Sequence, residues 1–488
     1  MTGPRPLVRA AVGFGVAGVV VLACVAVLGP SAASPELDGA GPARSLAVAP
    51  AAWVVTVGMW AGLLCAGASV LCAWLALQRG WQPPVRRAVA VGFVGAALLA
   101  AVPPLGSTDV MSYAGYGRMV VVGLNPYTTT INDLVASGDP VGVDYDGAWP
   151  DVSSVYGPVA LGVQGAASWL SGASMRWFVM VMQLVALAAF AATTALLLRT
   201  ADGADGRRRA AVLWAANPLL MYLVVNSAHL DGVAVALGVA ALASVRRSPA
   251  LAGLLSALAV CTKISFVLYA VALTWALRRG GRQLLALVAA GTVTGLVLLG
   301  PFVPEIVAPL QQASRYVARV SVWHFVDAPL HTLLPEAAAA TLLAALAWLL
   351  TAAVVWRLSP VLPRRPAPGG GRTVRDDAIW TAALVSTAWL LCTPYALPWY
   401  DVIAWAPLLL VPASGVDLLL LARTATVSVA YVPGVVAHPP GAIGAVISKV
   451  GGVLAPLVSW ALVLLALLLP DRLRPRPPTA DRLPASSR

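Results

Sequence analysis

The sequence predicts an all-α, polytopic integral membrane protein, a helical bundle with about 14 transmembrane helices, and three observations carry that prediction. Hydrophobic residues make up 59% of the 488 and charged residues only 11%, whereas soluble domains carry about 25% charged residues. Mean hydropathy is +0.83, and apolar runs recur from one end of the chain to the other, many near the roughly 20 residues a span needs. The arginines fall in short clusters between those runs: Arg86-Arg87, Arg207-Arg208-Arg209, Arg246-Arg247, Arg278-Arg279 and Arg364-Arg365. Clusters of this kind mark loops held on the cytoplasmic side during insertion. The net charge of +12 is therefore spent on topology, and nucleic acid is not expected as a partner.

Taken in order, spans are expected at 10–28, 47–77, 88–105, 177–198, 211–225, 232–245, 249–262, 264–277, 284–299, 337–356, 378–391, 402–421, 424–436 and 442–469, with both ends of the chain cytoplasmic. Residues 1–470 form one membrane domain, and 471–488 form a polar, Pro-rich cytoplasmic tail expected to be disordered. The first apolar run, with Arg5 and Arg9 before it and "SAAS" after it, resembles a signal peptide, but it is expected to be retained. Residues 158–170 are left out of the count, because a span there would place Arg207–Arg209 on the outside. They are expected as a short helix on the outer membrane surface. The linker 357–377, with "PRRPAPGGGR", is flexible by composition. On this map Asp109, Asp231, Asp401 and all four histidines (His229, His324, His331, His438) lie outside, so the polar chemistry gathers on one face of the membrane.

The long external segment 106–156 opens "STDVMSYAGYGRMVVVGLNPY". Asp109 stands where a helix leaves the bilayer, a setting suited to a general base. It could equally cap the helix that follows, as could Ser107 or Thr108. Tyr113 and Tyr116 on that helix, and Tyr156 at the end of the segment, offer stacking surface for a sugar or an interfacial anchor, while Arg118 is a cation on the same helix. Gly123 and Pro126 end the helix. In "NPLLMYLVVNSAHLDG", Asn226, His229 and Asp231 cluster at the outer end of two short helices, where polar groups at membrane depth are costly. They form either a hydrogen-bonded turn or part of a site. Lys263, in "CTKISF", is one of two lysines in a chain that otherwise uses arginine. An ammonium at the membrane surface suits a lipid phosphate. Arg315 and Arg319 share a helix face as further phosphate candidates, and Trp399 and Tyr400 lie in the rigid turn "TPYALPWYD". The five cysteines have no metal-type spacing, "DYD" at Asp144–Asp146 is too short a pattern to count as a metal site, and no metal is expected.

"DVMSYAGYGRMVVVGLNPY", "VSSVYGPVALGVQGAASWLSG", "NPLLMYLVVNSAHLDG", "CTKISF" and "LPWYDVIAWAPLLL", in this order and spacing, resemble the actinobacterial polyprenol-phosphate-mannose-dependent α-1,6-mannosyltransferases of the GT-C superfamily. The resemblance covers roughly residues 105–410. It implies a GT-C-type bundle with a large first catalytic extracytoplasmic loop, and a cytoplasmic membrane enzyme whose active site faces outside. It also implies an inverting transfer of mannose, without a cofactor, from a polyprenyl-phosphate-linked donor to a lipid-anchored mannan acceptor of the lipomannan and lipoarabinomannan type. Asp109 falls on the family's catalytic aspartate and Lys263 on a basic position near the lipid phosphate. His229 and Asp231 keep the family's His-x-Asp form, with Leu230 where asparagine is usual. The competing class is a transporter or a flippase for lipid-linked sugars, which would need a charge buried mid-membrane; Asp417 is the candidate for it.

Overall fold

The structure is a computed structural model that describes residues 3–38, 41–42, 45–365, 372–395, 397–436 and 439–475. His438, residues 366–371 of the linker and residues 476–488 of the tail lie outside the described residues. Regular structure among the described residues is helical throughout, apart from one isolated bridge between Ser31 and Ser34. Helices keep their backbone hydrogen bonds within the segment, which is what an apolar solvent demands.

Three helices open the chain: α1 (Arg5–Leu28), α2 (Ala52–Gln78) and α3 (Val85–Ala100). α1 lies along α2, and Gly18 lets the backbones approach: a Cβ there would sit 3.0 Å from the Gly62 carbonyl oxygen. Small residues at such crossings are how helices pack where lipid supplies no hydrophobic drive. The long loop is itself helical, with α4 (Asp109–Val121), α5 (Ile131–Ala136) and α6 (Pro140–Val143). Segment 158–170 is α7 (Pro158–Ser171), packed against α4 and against α8 (Met175–Thr200). After α9 (Gly203–Ala210) the chain breaks at Asn217, whose side chain caps α10 (Pro218–Leu220), and wide turns at Ala211–Ala215 and Met221–Asn226 flank the break. Three short apolar helices follow, α11 (Asp231–Ser244), α12 (Pro249–Val260) and α13 (Val267–Leu277). Then come α14 (Gly281–Leu299), α15 (Val303–Ala313), α16 (His324–Leu333), α17 (Glu336–Leu358), α18 (Val374–Cys392), α19 (Val402–Leu408), α20 (Gly415–Tyr431), α21 (Ala442–Lys449) and α22 (Ala455–Leu468).

Among the described residues, six helices are able to cross a membrane by length and composition, or seven if the pair bent by 43° at Asn217 counts as one span. The expected count of about 14 included segments that fold as helices too short to span alone, α11, α12 and α13 among them. The expected boundary between spans 402–421 and 424–436 is displaced. The chain turns instead between Leu408 and Gly415, where Pro412 interrupts the helix and Ser414 with Asp417 forms a capping box. Arg423, which falls in the gap between those two expected spans, lies inside α20 and is paired with Asp401 beside α19. Asp417 is no free charge either: it is paired with Arg209 and accepts from Trp74 Nε1 at 2.9 Å. A buried pair of this kind persists because removing either partner strands the other. The carboxylate on which a transporter reading would rest is therefore neutralised within the bundle.

A candidate active site

The segment that delivers Asp109 is tied down from behind. Asn226 accepts from the Leu105 N–H at 3.0 Å, and its Nδ2 donates to the carbonyls of Leu99 and Pro103 at 2.9 and 3.1 Å. Ser227 donates to the Leu105 carbonyl at 3.0 Å, and Gln183 Nε2 bridges the carbonyls of Val102 and Asn226. Gly106 has φ 71°, and a Cβ there would run into the Tyr222 hydroxyl. Glycine meets both demands at once. Asn226 is thus a fully bonded anchor rather than a group presented to a sugar.

α4 starts at Asp109, but the N-cap is Thr108, which makes no side-chain cap; its hydroxyl accepts from the Ala148 N–H across the loop. The Asp109 carboxylate is not engaged as a cap. It lines a cavity of about 440 Å³ together with Ser112, Tyr116, Tyr156, Lys263 and Tyr400. Burial pushes its pKa up to about 7, with Lys263 opposing the rise and Asp231 adding to it.

One turn, 227–231, reaches both charged members of this wall. Ala228 is held at φ 56°, a conformation unusual for a residue with a Cβ, and the turn it makes sends His229 to Asp109 and Asp231 to Lys263. His229 Nδ1 lies 3.7 Å from Asp109 Oδ2 and 3.4 Å from the Tyr113 hydroxyl. Its ring stacks on Trp399, with centroids 3.7 Å apart. Lys263 donates to both oxygens of Asp231 and sits 3.5 Å from the Tyr400 ring centroid. Tyr113 packs edge-on against Tyr156, whose hydroxyl donates to it at 3.3 Å.

Of the residues singled out from sequence, Asp109, Lys263, Tyr116, Tyr156 and Tyr400 line the cavity. Tyr113, His229, Asp231 and Trp399 are buried directly behind them. The remaining cations are engaged elsewhere. Arg118 pairs with Asp139 at 2.7 Å, an interaction internal to the loop. Arg315 and Arg319 do not share a helix face, because α15 ends at Ala313 and α16 begins only at His324; Arg315 is exposed and pairs with Glu336, and Arg319 bonds the Ser448 carbonyl. None of the three lines the cavity; each finds a nearer partner.

The cavity also exposes residues that the sequence reading passed over: Trp149, Tyr316 and Tyr395, joined ring to ring at 5.8 and 5.9 Å. Tyr316 stands between the two arginines that drew attention, and Tyr395 is five residues before Tyr400; an aromatic count of those turns would have found both. The lining also includes the apolar side chains of Leu268, Leu310, Ala344, Ala347 and Trp348.

Among solved structures, that of ArnT from Cupriavidus metallidurans bound to undecaprenyl phosphate is similar over 80% of this chain and 77% of its own, at 16% identity and a TM-score of 0.35. No curated protein sequence matches the chain. Residues 12–279 match the family described as alpha-(1->6)-mannopyranosyltransferase, N-terminal domain (MptA_B family), and that match takes in Asp109, His229, Asp231 and Lys263. Because it spans more than half of the 488 residues, the chain belongs to the alpha-(1->6)-mannopyranosyltransferase family and is a multi-pass membrane glycosyltransferase.

Proposed function

We propose that the chain transfers mannose from a polyprenyl-phosphate donor to a lipid-anchored mannan at the outer face of the cytoplasmic membrane, forming an α-1,6 linkage. The observation that carries this is the lining of one cavity: a carboxylate without a capping role and an ammonium share it with a set of apolar side chains, the mixed surface that a lipid-linked phosphate requires. Asp109 takes the proton of the acceptor hydroxyl as that oxygen attacks the anomeric carbon. The bond from that carbon to the phosphate oxygen breaks, and the electron pair leaves with the polyprenyl phosphate. Lys263 meets the growing charge on the phosphate. A phosphate leaves as an anion and needs no acid to protonate it, so one base suffices and attack from the opposite face inverts the anomeric centre. Lys263 fills the role that a metal ion plays elsewhere in phosphate chemistry, so the reaction proceeds without a metal or other cofactor.

Purified protein incubated with radiolabelled polyprenyl-phosphate-mannose and a short α-mannoside, with and without a chelator, tests the reading. Label in the lengthened mannoside under both conditions supports it. Translocation of the lipid without transfer, or transfer lost to the chelator, contradicts it. Sidedness has its own test: single cysteines at Asp133 and Arg208 should react, and fail to react, respectively, with an impermeant thiol reagent on intact cells.

A further inference from the structure

We infer that His229 is a positioning residue for the catalytic carboxylate, donating from Nδ1 to Asp109 Oδ2 and leaving Oδ1 to receive the acceptor proton. This rests on the reading of Asp109 as the base. The imidazole is wholly buried and lies within 14° of parallel to the Trp399 ring, so its plane is fixed. Nδ1 is the nitrogen turned to Asp109 Oδ2, 3.7 Å away, and Nε2 has no hydrogen-bond partner among the described residues. That asymmetry selects the tautomer. A proton on Nε2 would bury an unpaired N–H and set a lone pair on Nδ1 against the carboxylate. A proton on Nδ1 leaves only a bare acceptor at Nε2, the cheaper of the two defects, and directs the N–H between Asp109 Oδ2 and the Tyr113 oxygen. The Tyr113 hydroxyl accepts from Tyr156 and keeps its own proton, so toward an N–H on Nδ1 it is a weaker acceptor than the anionic carboxylate. A separation of 3.7 Å is long for a hydrogen bond, and contacts of this kind shorten when substrate is bound.

His229 comes from the same turn as Asp231, the partner of Lys263. The turn therefore fixes the distance between the proton acceptor and the phosphate-binding cation, which substrate geometry requires to be constant. The other charged groups facing Asp109 are Lys263 and Asp231. Around them stand Tyr113, Tyr116, Tyr145, Tyr156, Tyr395, Tyr400 and Tyr431, phenols that are uncharged near neutrality. The Ser107 hydroxyl also bonds the carboxylate, so His229 is the second neutral group placed to donate to it, and the one delivered by the turn that carries Asp231.

The test compares His229→Gln and His229→Asn in transfer assays across pH. An asparagine amide reaches the place of Nδ1, whereas a glutamine amide reaches that of Nε2. His229→Gln is expected to lower kcat by about 10-fold or more and to move the acid limb of the pH profile upward, because the carboxylate loses a donor to its charged form. His229→Asn should stay closer to wild type in both. In an Asp109→Asn background, His229→Gln should cost nothing further, because its action passes through the carboxylate. An unmoved limb, an asparagine variant no closer to wild type than glutamine, or a loss that adds in the Asp109→Asn background would each overturn the inference. If His229→Gln is not recovered folded, Trp399→Phe, which loosens the imidazole, must move the limb in the same direction, and an unmoved limb again overturns it. Near-normal turnover of Asp109→Asn alone brings down the base reading itself, a result distinct from the others.

Discussion

Both carboxylate oxygens of Asp231 accept from the Lys263 ammonium, at 2.7 and 2.8 Å, while the face of Tyr400 closes over the same nitrogen at 3.5 Å. Each ion forgoes several kcal/mol of hydration on burial, so each keeps its charge by virtue of the other. An ammonium has three donors. With two of them committed to Asp231, the third remains for a phosphate entering the cavity.

Lys263→Ala should therefore cost both donor affinity and turnover, together about 10²-fold or more in kcat/KM. Lys263→Arg should recover only part, because a planar guanidinium keeps the charge but cannot both straddle Asp231 and lie beneath Tyr400 as a compact ammonium does. Steady-state kinetics with a varied polyprenyl-phosphate-sugar decide the matter. Wild-type constants in the alanine variant would remove Lys263 from phosphate binding.

Asp231→Asn exposes the other half of the pair. It strands the ammonium, at a cost of about 3–5 kcal/mol to the free protein. A bound phosphate replaces the missing counter-charge, so polyprenyl phosphate should raise the unfolding temperature of the variant more than that of wild type. Equal increments in the two proteins would show that the phosphate does not meet Lys263.

Transfer should also respond to pH with a definite sign. Asp109 acts as base only when ionised, and its pKa stands at about 7. kcat/KM should thus rise with pH through about 7 and level off above it, with roughly a tenth of the maximum remaining one unit below. Asp231 is among the groups that raise this value, so Asp231→Asn should move the acid limb to lower pH. A profile flat across that range would place the proton elsewhere.

How much of this was legible in the sequence depended on whether a feature is local. Outside the expected spans, α4 and α7 were legible: Pro158 at the start of α7 and Gly123 at φ 79° after α4 are punctuation that the chain carries in itself, whereas the short helices α5 and α6 gave no such signal. Asp109 and Lys263 stood out because a lone acid and a rare lysine beside apolar runs are unusual in any fold. What sequence could not supply was pairing across distance. Arg423 looks like a loop residue until Asp401, 22 residues earlier, is found beside it, and Asp417 looks free until Arg209 arrives from more than 200 residues away. The same blindness made Arg118, Arg315 and Arg319 look available for phosphate when Asp139, Glu336 and the Ser448 carbonyl already hold them.

Gly106 tests whether the approach to Asp109 is as constrained as it looks. Its φ of 71° and the Tyr222 hydroxyl both oppose a side chain, so Gly106→Ala should destabilise the protein by about 1–3 kcal/mol and reduce turnover by displacing the carboxylate. Gly123→Ala, where the φ is also positive but nothing lies within 4 Å, should cost stability alone. Thermal unfolding and transfer assays on both variants separate strain from displacement, and equal losses of turnover would refute the distinction.

Asp109→Asn divides the catalytic reading from a structural one most sharply. Asparagine keeps the size of aspartate, and no cap is lost, since Thr108 is the N-cap of α4. Only the ability to take a proton disappears. The folded protein holds the Asp109 proton up to about 7, against the ordinary aspartate value of 3.8. The folded state therefore binds that proton more tightly than the unfolded chain, and wild type loses stability as pH rises from about 4 through about 7. Asparagine carries no such charge, so above that range the variant should unfold at a temperature no lower than wild type. Its turnover should nevertheless fall by at least about 10²-fold with donor binding retained. A structural residue would lose stability and activity together. Near-normal turnover would end the case for Asp109 as the base, whatever the stability.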